Sequence, residues 1–459
     1  MKQTKTRRCI VLGFGGVAKS SIPIIINNKI PISEFVVIDR LKISDKDLKL
    51  FFGNEKVNVI NDEFPYEEIY NKMEKIFRDD DIVLDFFGCS ESLEIIKACN
   101  TKNNIIYLNC SLEEYIDRCY PTQFALYKTM YDYRKENKFN GTAVIDAGAN
   151  PGMVTHFAIL GMLHMAKDAV KNKVKDYEKI EELLNKKDLP GLAEIMEIDT
   201  IHISEIEDMI MNEPEKFIKG YTVNSWCIES FHEEWNIESE VSIGTKDRES
   251  LTKIGYNKIP DSVPEFTTVP YPTYLYTASP KGKFTGRSVR HPETMEISYI
   301  FSNENHVPTV SFVYHPSEIS LISMEQNNWE KLPTKLFCEL NASPLRGSET
   351  MGATLITARK DIKSRWYGSV VSCEESRRVG CLLNPTTLQV AAGVISHLIV
   401  ALNSPNKGIC MPHDFDSDEI MKYAAPYLGD IIDKDLDFEL SPKWEDLLSN
   451  KENMKIKFN

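Results

Sequence analysis

The chain has 459 residues, of which 42% are hydrophobic and 27% charged, and its formal net charge at pH 7 is −14. This length exceeds what one hydrophobic core usually fills, so two or three structural units are expected. The acidic balance argues against a nucleic-acid-binding protein, which normally presents a basic face to phosphates. It permits cationic ligands without requiring them.

The ten cysteines are scattered, with no CxxC pair and no cluster at metal-ligand spacing. This pattern predicts free thiols in a reducing cytosol and no metal site. The start, MKQTKTRRCIVLGFGGVA, superficially resembles a signal peptide because a basic head precedes an apolar run. Its glycine spacing has a better explanation, and no later apolar run approaches the roughly 20 residues that span a bilayer. We therefore expect a cytoplasmic protein without a membrane segment.

A glycine-rich loop follows the first apolar stretch. In RRCIVLGFGGVAKSSIPIII the pattern G-x-G-x-x-A lies between a predicted strand and a predicted helix. Gly13 permits a tight turn, Gly15 allows the backbone to approach a pyrophosphate, and the phosphates lie at the helix N-terminus. The predicted cofactor contacts in this loop are Gly13, Gly15, Gly16 and Val17. The alternative is a glycine turn that merely connects a strand to a helix.

The second predicted strand, EFVVIDR, ends in Asp39 at the spacing expected for a dinucleotide-binding domain. A carboxylate here accepts hydrogen bonds from a ribose 2′-hydroxyl and repels a 2′-phosphate. The sequence thus favours NAD over NADP, although the neighbouring Arg40 weakens that preference.

Apolar runs that end in small or polar residues continue through DIVLDFFGCS, NNIIYLNCS and GTAVIDAGANPGMV, with helical segments between them. This alternation predicts a parallel Rossmann-type sheet, whose ligands gather at the carboxyl ends of the strands. The residues predicted to line the cofactor and its reaction partner are Phe87, Gly88, Asn109, Glu113 and Asn150. Each of them would serve equally well as a turn or cap residue.

The rest of the chain is predicted to be α+β with a largely antiparallel sheet. After a helical region the strand-like segments are DTIHISEIED, YTVNSWCIESF, EISYIFSN, TVSFVYHP, ATLITARK and RWYGSVVSCEE. From Asn384, NPTTLQVAAGVISHLIVALNSP has the signals of a helix. We expect an NAD-binding domain at 1–152, a substrate domain at 153–383, and a C-terminal helix and tail at 384–459 that packs back on the first domain.

The segment VNSWCIESFHEEWN places three carboxylates between two indoles. A buried cation would use both groups, because an ammonium is attracted to an indole face and needs carboxylates to replace its water. An amphipathic strand is the simpler explanation. On an ideal strand Trp226, Ile228, Ser230 and, if the strand continues that far, Glu234 share a face. Glu205, on the preceding predicted strand, would join them if both segments belong to one sheet.

At GANPGMV, IHISE, NSWCIESF, WYGSVVSCEESRR and NPTTLQV the sequence resembles the bacterial homospermidine synthases, and the match covers nearly the whole chain. This family is related to the saccharopine and carboxynorspermidine dehydrogenases. The resemblance implies that NAD removes hydride from one putrescine to give an imine. A second putrescine attacks, ammonia leaves, and the retained NADH reduces the new imine. Spermidine can be the first amine in the family, with diaminopropane leaving. The resemblance also implies a homodimer.

The resemblance implies that Trp226 holds ammonium or iminium charge. It places five further residues around the polyamine, namely Glu205, Glu234, Glu113, Asn150 and His291. A carboxylate or His291 near the reacting nitrogen would take its proton, without the sequence showing which one acts. Core packing for Trp226, a turn for His291 before its proline, and a one-residue register slip between Glu234 and Glu233 remain open alternatives.

One position departs from the family pattern. In DFFGCSES the chain has Cys89 where the family carries an aspartate, so that charge is either absent or supplied by Glu91. If that acid binds a substrate nitrogen, either the affinity for diamines or the preferred amine is expected to differ. Two other functions stay open. A net imine-reducing dehydrogenase would need a basic clamp for the carboxylates of its substrates, and a non-catalytic NAD or polyamine sensor would keep the pocket without the chemistry.

Overall fold

The computed structural model describes residues 5–63, 65–87, 91–112, 122–211, 218–226, 231, 234–254, 258–259, 264–326, 334–336, 345–436 and 440–450. Strands and helices alternate in the first part of the chain. The strands are β1 (Arg7–Leu12), β2 (Ile32–Asp39), β3 (Val57–Asn61), β4 (Ile82–Asp85), β5 (Ile105–Asn109) and β6 (Gly141–Val144). The helices are α1 (Gly16–Asn27), α2 (Asp45–Phe52), α3 (Ile69–Ile76), α4 (Ser92–Asn100) and α5 (Gln123–Glu136).

Three helices then lead into the strand-rich middle of the chain. They are α6 (Met153–Lys171), α7 (Tyr177–Lys186) and α8 (Leu189–Ile195). The first strands after them are β7 (Ile198–Glu207), β8 (Thr222–Asn224), β9 (Ser239–Ser242), β10 (Lys258–Ile259), β11 (Phe266–Val269), β12 (Tyr274–Ser279) and β13 (Gly282–Val289). The later strands are β14 (Thr309–His315), β15 (Thr334–Leu336), β16 (Ser348–Thr357) and β17 (Arg365–Ser372). Helices among them are α9 (Arg248–Ile254), α10 (Glu293–Phe301), α11 (Glu318–Gln326) and α12 (Cys373–Arg378).

The C-terminal part adds a long helix and three short strands. The helices are α13 (Pro385–Asn403), α14 (Ser417–Ala424) and α15 (Trp444–Leu447). The strands are β18 (Gly408–Cys410), β19 (Asp430–Asp435) and β20 (Leu448–Ser449). Single turns of 3₁₀-helix occur at Tyr66–Glu68, Pro412–Asp414 and Ala425–Tyr427.

The first sheet has seven parallel strands in the order β18-β6-β5-β4-β1-β2-β3. The chain leaves β1 towards β2 and β3 on one side, and later passes to β4, β5 and β6 on the other. Ligands of such sheets bind at this reversal, outside the carboxyl ends of the strands. The predicted Rossmann-type sheet is confirmed.

The second sheet has eight strands in the order β19-β17-β16-β7-β14-β13-β12-β20. Neighbouring strands are antiparallel except for the central pair of β14 and β7, which is parallel. The prediction of a largely antiparallel sheet is therefore confirmed. Two small sheets, β10-β11-β9 and β15-β8, complete the strands that the structure describes.

One strand prediction extends too far and another is wrong. In VNSWCIESFHEEWN the described strand ends at Asn224, and among the later described residues Phe231 and Glu234 are helical. The Trp235 amide donates to the Phe231 carbonyl at 3.2 Å, as in a helix. Residues four apart lie on the same helix face, and both rings belong to the same core cluster. The predicted strand EISYIFSN is the end of α10, whose first turn carries acidic residues that suit a helix N-terminus.

Helix α13 links the two sheets. Asn384 and Thr387 form a capping box at its start, and the Ser20 hydroxyl of α1 donates to the Thr387 hydroxyl at 2.8 Å. A Cβ on Gly393 would lie 2.0 Å from the Gly148 carbonyl oxygen, so α13 contacts the turn after β6 directly. The helix is long and apolar enough to cross a bilayer, so the expectation that no apolar run approaches this length is wrong. However, 83% of its most apolar window is buried within the protein.

The domain boundaries at 152 and 383 stay a prediction. Segment 384–459 contributes β18 to the first sheet and β19 and β20 to the second.

Two buried histidines join α6 to α13. His397 Nδ1–H donates to the Gly393 carbonyl at 2.8 Å, which leaves its Nε2 to accept from His156 Nε2–H at 3.2 Å. The Ser417 hydroxyl of α14 donates to His156 Nδ1 at 3.0 Å. Every ring nitrogen thus has a partner while both histidines are neutral. Burial, with His397 and His413 nearby, holds the pKa of His156 well below its usual value. Burial also lowers the pKa of His397 to about 4.

This pair predicts acid sensitivity. Since the folded pKa values lie below the unfolded value of about 6.5, the unfolded state binds more protons as the pH falls. Stability contributed by the neutral pair is therefore present above about pH 6.5 and is lost as the pH falls towards 4. We expect the thermal midpoint of His397→Gln to fall less steeply between pH 7 and 5 than that of the parent. Parallel curves for the two proteins would contradict this, and His164→Gln at the surface is the control.

Candidate functional site

The glycine loop has the shape that a phosphate requires. Gly13 has φ +83°, and a Cβ there would lie 2.8 Å from the Phe86 carbonyl oxygen, so only glycine fits. By contrast, a Cβ on Gly15 would meet open space. Gly15 also caps α1 without a side-chain hydrogen bond, and Gly16 and the half-buried Val17 form the first turn. The residues of the loop therefore suit the pyrophosphate of a dinucleotide bound at the helix N-terminus.

Asp39 is held at the end of β2 by two backbone amides. Phe14 N–H donates to one carboxylate oxygen and Leu41 N–H to the other, both at 2.7 Å. Each oxygen keeps a further lone pair, so ribose hydroxyls can still donate to it. The position and charge of this carboxylate suit a ribose without a 2′-phosphate.

The other predicted cofactor contacts lie at neighbouring strand ends. Asn109 is buried, its side chain accepts from Asp146 N–H at 2.8 Å, and its carbonyl accepts from Ala147 N–H at 2.7 Å. Asn109 thereby fixes the turn after β6. Phe87 follows β4 and is half-buried. Three further positions of the sequence argument, Gly88, Cys89 and Glu113, lie outside the described residues.

Asn150 joins the first sheet to the second. It lies in the turn after β6, and its side-chain amide donates to Glu205 on β7 at 2.6 Å. Gly152 fixes the conformation of this turn, because a Cβ there would lie 2.2 Å from the Gly148 carbonyl oxygen. The hydrogen bond between Asn150 and Glu205 joins the carboxyl edge of the parallel sheet to the acidic face of the second sheet. Two residues that the sequence analysis singled out separately are thus neighbours.

Three buried glutamates share one face of the second sheet. Glu205 and Glu207 are two residues apart on β7, and Glu349 pairs with Glu207 across β16, so their side chains project together. Each places one carboxylate oxygen within 4.8 Å of the others. Burial raises the pKa of Glu205 and of Glu349 well above the usual value, and the neighbouring glutamates raise both further. Burial raises the pKa of Glu207 as well.

The two deeper glutamates are held by hydroxyl groups. Ser225 donates to Glu207, and Ser317 N–H donates to its other oxygen at 3.2 Å. Thr386 donates to Glu349 at 3.0 Å, while the second oxygen of Glu349 has no hydrogen-bond partner among the described residues. The sequence analysis missed both acids. Glu207 had a signal in its two-residue spacing from Glu205, but Glu349 required the strand register.

His291 carries a positive charge beside this face. Its Nδ1 contacts the buried Glu293 carboxylate, and its ring stacks on Phe312 at a centroid distance of 4.6 Å. Burial lowers the pKa of His291, but Glu293, Glu234 and Glu205 raise it more, to about 9. His291 is therefore protonated near neutral pH in the absence of ligand. Glu293 was not among the predicted site residues.

Trp226 and Glu234 complete the group. Trp226 is half-buried, and its indole N–H donates to the Tyr314 hydroxyl at 3.4 Å. Tyr314 pairs with Glu205 in the strand register. Glu234 raises the pKa of both Glu205 and His291, so it lies near both. The structure thus brings Trp226, Glu234, Glu205, Asn150 and His291 together.

The arrangement can hold a cation. Among the described residues, no lysine or arginine forms an ion pair with Glu205, Glu207 or Glu349. Their oxygens are close enough to hold a metal ion, and they would serve an ammonium equally well. An indole and a tyrosine beside them add apolar wall for an alkyl chain.

Several known proteins are similar to this chain in sequence. Residues 9–145 match the family model described as the saccharopine dehydrogenase NADP binding domain. The chain is 24% identical to a homospermidine synthase of Blastochloris viridis over 92% of this chain and 90% of that protein. It is also 24% identical to a homospermidine synthase of Mesorhizobium japonicum, over 92% and 89% of the two chains.

The fold has a close solved counterpart. A crystal structure of homospermidine synthase from Legionella pneumophila in complex with NAD superposes with a TM-score of 0.82. The two chains are 23% identical, and the match covers 97% of this chain and 98% of the other. The predicted resemblance is confirmed: the chain is similar in sequence to two homospermidine synthases over most of its length, and it shares the fold of a third.

Proposed function

We propose that the protein is a homospermidine synthase that joins two putrescines with release of ammonia and without net oxidation or reduction. The observation that carries this proposal is the group of three buried glutamates on one sheet face. Burial, together with repulsion from the neighbouring glutamates, raises the pKa of Glu205 and of Glu349. A diamine brings the positive charge that lets them ionise. The names of the two curated relatives support the same reaction.

NAD is the cofactor of the proposed reaction. When bound, NAD would supply the hydride acceptor and donor that the two redox steps need. The glycine loop and Asp39 suit this dinucleotide, and the Legionella relative is described in complex with it. Asn109 holds the turn that carries Asn150, and Asn150 orients Glu205 towards the reacting amine.

Glu205 is the proposed proton acceptor. A general base works best when its pKa lies near the working pH, and burial beside other acids raises the pKa of Glu205. His291 is already protonated, since its pKa is about 9. It balances charge beside Glu293 and loses its proton more readily once a diamine supplies positive charge. Trp226 faces the cation with its ring, while Glu234 lies near His291 and Glu205.

Two alternatives remain distinguishable. An imine-reducing dehydrogenase would release NADH or consume it in proportion to product, and a sensor would bind putrescine without changing it. The cytoplasmic location and the homodimer stay predictions.

The first prediction concerns the reaction itself. With putrescine and catalytic NAD, we expect homospermidine and ammonia in equal amounts and no accumulation of free NADH, measured by mass spectrometry and absorbance. Deuterium on the putrescine carbons next to nitrogen should reappear in the product. Continuous NADH release would contradict the synthase and favour the dehydrogenase.

The second prediction concerns the indole. Trp226→Ala should lower kcat/KM for putrescine about thirtyfold, since a cation–π contact contributes roughly 2 kcal/mol. Trp226→Phe keeps a π-face and loses only the bond to Tyr314, so it should retain most activity. NAD affinity, measured by calorimetry, should be similar in all three proteins. Near-normal turnover of the alanine variant would remove the assigned role.

The third prediction concerns the deep acids. Because burial raises the folded pKa of Glu349 above its unfolded value, the stability of the protonated form is present below about pH 4.5 and is lost as the pH rises through the folded value. Glu349→Gln does not lose this stability as the pH rises, because glutamine does not ionise. Its thermal midpoint should exceed that of the parent at pH 8 and match it at pH 5.

Putrescine should narrow this difference at pH 8. It is expected to raise the midpoint of the parent at pH 8 more than that of Glu349→Gln, because only the parent offers the extra carboxylate. Glu304→Gln, at an exposed loop, is the control. If a metal ion rather than an ammonium occupies the glutamates, chelation of metals will abolish activity; we expect no effect.

A further inference from the structure

Arg287 is a buried cation on the acidic face of the second sheet. It lies on β13 and pairs with Tyr314 of β14, which itself pairs with Glu205 of β7. Residues paired in this way project to the same face, so Arg287, Tyr314 and Glu205 form one row across three strands. The side chain of Arg287 is almost fully buried, with 1% exposure.

The guanidinium of Arg287 is surrounded by rings rather than acids. Its Cζ lies 4.6 Å from the Trp235 ring centroid and 4.2 Å from that of Tyr271. Nε and both Nη atoms have no hydrogen bond of good geometry among the described residues. Burial lowers the pKa of Arg287; the nearby phenols of Tyr271 and Tyr274 oppose this, Tyr271 also as a hydrogen-bond partner, whereas no carboxylate among the described residues does.

A buried guanidinium without a carboxylate partner is energetically unfavourable. Arginine stays charged at any physiological pH, and a buried charge normally has a counter-ion that also accepts its hydrogen bonds. The contrast with Arg365 is clear, since that side chain contacts Asp433, Asp168 and Asp435. The planar fork of arginine matches a carboxylate, which accepts two parallel hydrogen bonds.

We infer that Arg287 binds the carboxylate of an amine substrate, so that the enzyme also accepts a short diamino acid as the attacking amine. This inference rests on the proposed function. Two strand spacings of about 4.8 Å separate Arg287 from Glu205 along the row, a span that a short alkyl chain bridges. The amino end of such a substrate lies at the glutamates and its carboxylate at the guanidinium.

The coupled reaction needs no additional reagent. The nitrogen of the diamino acid bonds to the imine carbon formed from putrescine, and the bond to the departing ammonia breaks. The two electrons that NAD took from putrescine return to the product, so oxidation and reduction cancel. Access requires movement of the Tyr271 ring, which is 46% exposed and lies in the turn before β12.

The test uses the NAD-loaded enzyme with putrescine and ornithine together. We expect the aminobutyl–ornithine conjugate in the mass spectrum beside homospermidine. In Arg287→Met the ratio of conjugate to homospermidine should fall at least about thirtyfold, as expected for loss of a charged hydrogen-bond pair. Arg248→Met, at an exposed ion pair with Glu265, should leave the ratio unchanged. An unchanged ratio in Arg287→Met, or no conjugate from the parent, overturns the inference.

A second measurement needs no variant and covers a misfolded Arg287→Met. Glutarate, a dicarboxylate without an amine, should inhibit conjugate formation by the parent at concentrations that leave homospermidine formation from putrescine alone unaffected. Equal inhibition of both products, or of neither, overturns the inference. Absence of homospermidine from putrescine alone instead contradicts the proposed function. In that case, calorimetry decides: ornithine binding by the parent that Arg287→Met lacks supports the carboxylate site, and equal binding overturns it.

Discussion

The site depends on the repulsion among three carboxylates that the second sheet forces together. Glu205, Glu207 and Glu349 share a face because strand residues alternate and because β7 and β16 pair in one register. Each is buried, and water can do little to screen their charges. Burial and this repulsion both raise the pKa of Glu205 and of Glu349. In the proposed function, an ammonium group beside these carboxylates favours their ionised form, so binding of a diamine is coupled to their deprotonation.

The rest of the fold serves to hold this face against the nucleotide. Asn150 connects the parallel sheet to Glu205, and the turn that carries Asn150 touches α13 through Gly148 and Gly393. Helix α13 also supplies Thr386, which donates to Glu349. A single helix thus contacts the glycine-loop helix, the substrate turn and the deepest carboxylate. Displacement of this helix would disturb the cofactor site and the substrate site together.

Local patterns predicted much of this architecture. The parallel sheet was predicted correctly from the glycine loop, Asp39 and the apolar runs, because each of these signals lies within a short stretch of sequence. The segment EISYIFSN was misjudged because β-branched and aromatic residues suit a strand, whereas the preceding proline and the acids Glu293 and Glu296 favour a helix start. Trp226 and Glu205 were predicted by resemblance; Glu205 does lie on a strand, whereas the strand predicted to carry Trp226 ends at Asn224.

Residues that act through strand register could not be found in this way. Glu349 is 142 positions from Glu207 in the chain (349 − 207), yet the two are paired neighbours. Arg287 looks like an ordinary arginine until its burial among Trp235 and Tyr271 is known. The pKa and the binding properties of a carboxylate or a guanidinium depend on its surroundings, which are known only from the fold.

The row that contains Arg287, Tyr314 and Glu205 also gives the site a direction. Arg287 lies at one end of the row and Glu205, beside Glu207 and Glu349, at the other; Tyr314 lies between them, and its hydroxyl accepts from the Trp226 indole. An ammonium is drawn towards the glutamates and repelled from the guanidinium, so one amino group of a diamine binds at the glutamates and the position beside Arg287 disfavours the other. The same field that attracts a polyamine thus limits how far it extends, because the next charged group beyond Tyr314 has the wrong sign for an amine and the right sign for an acid.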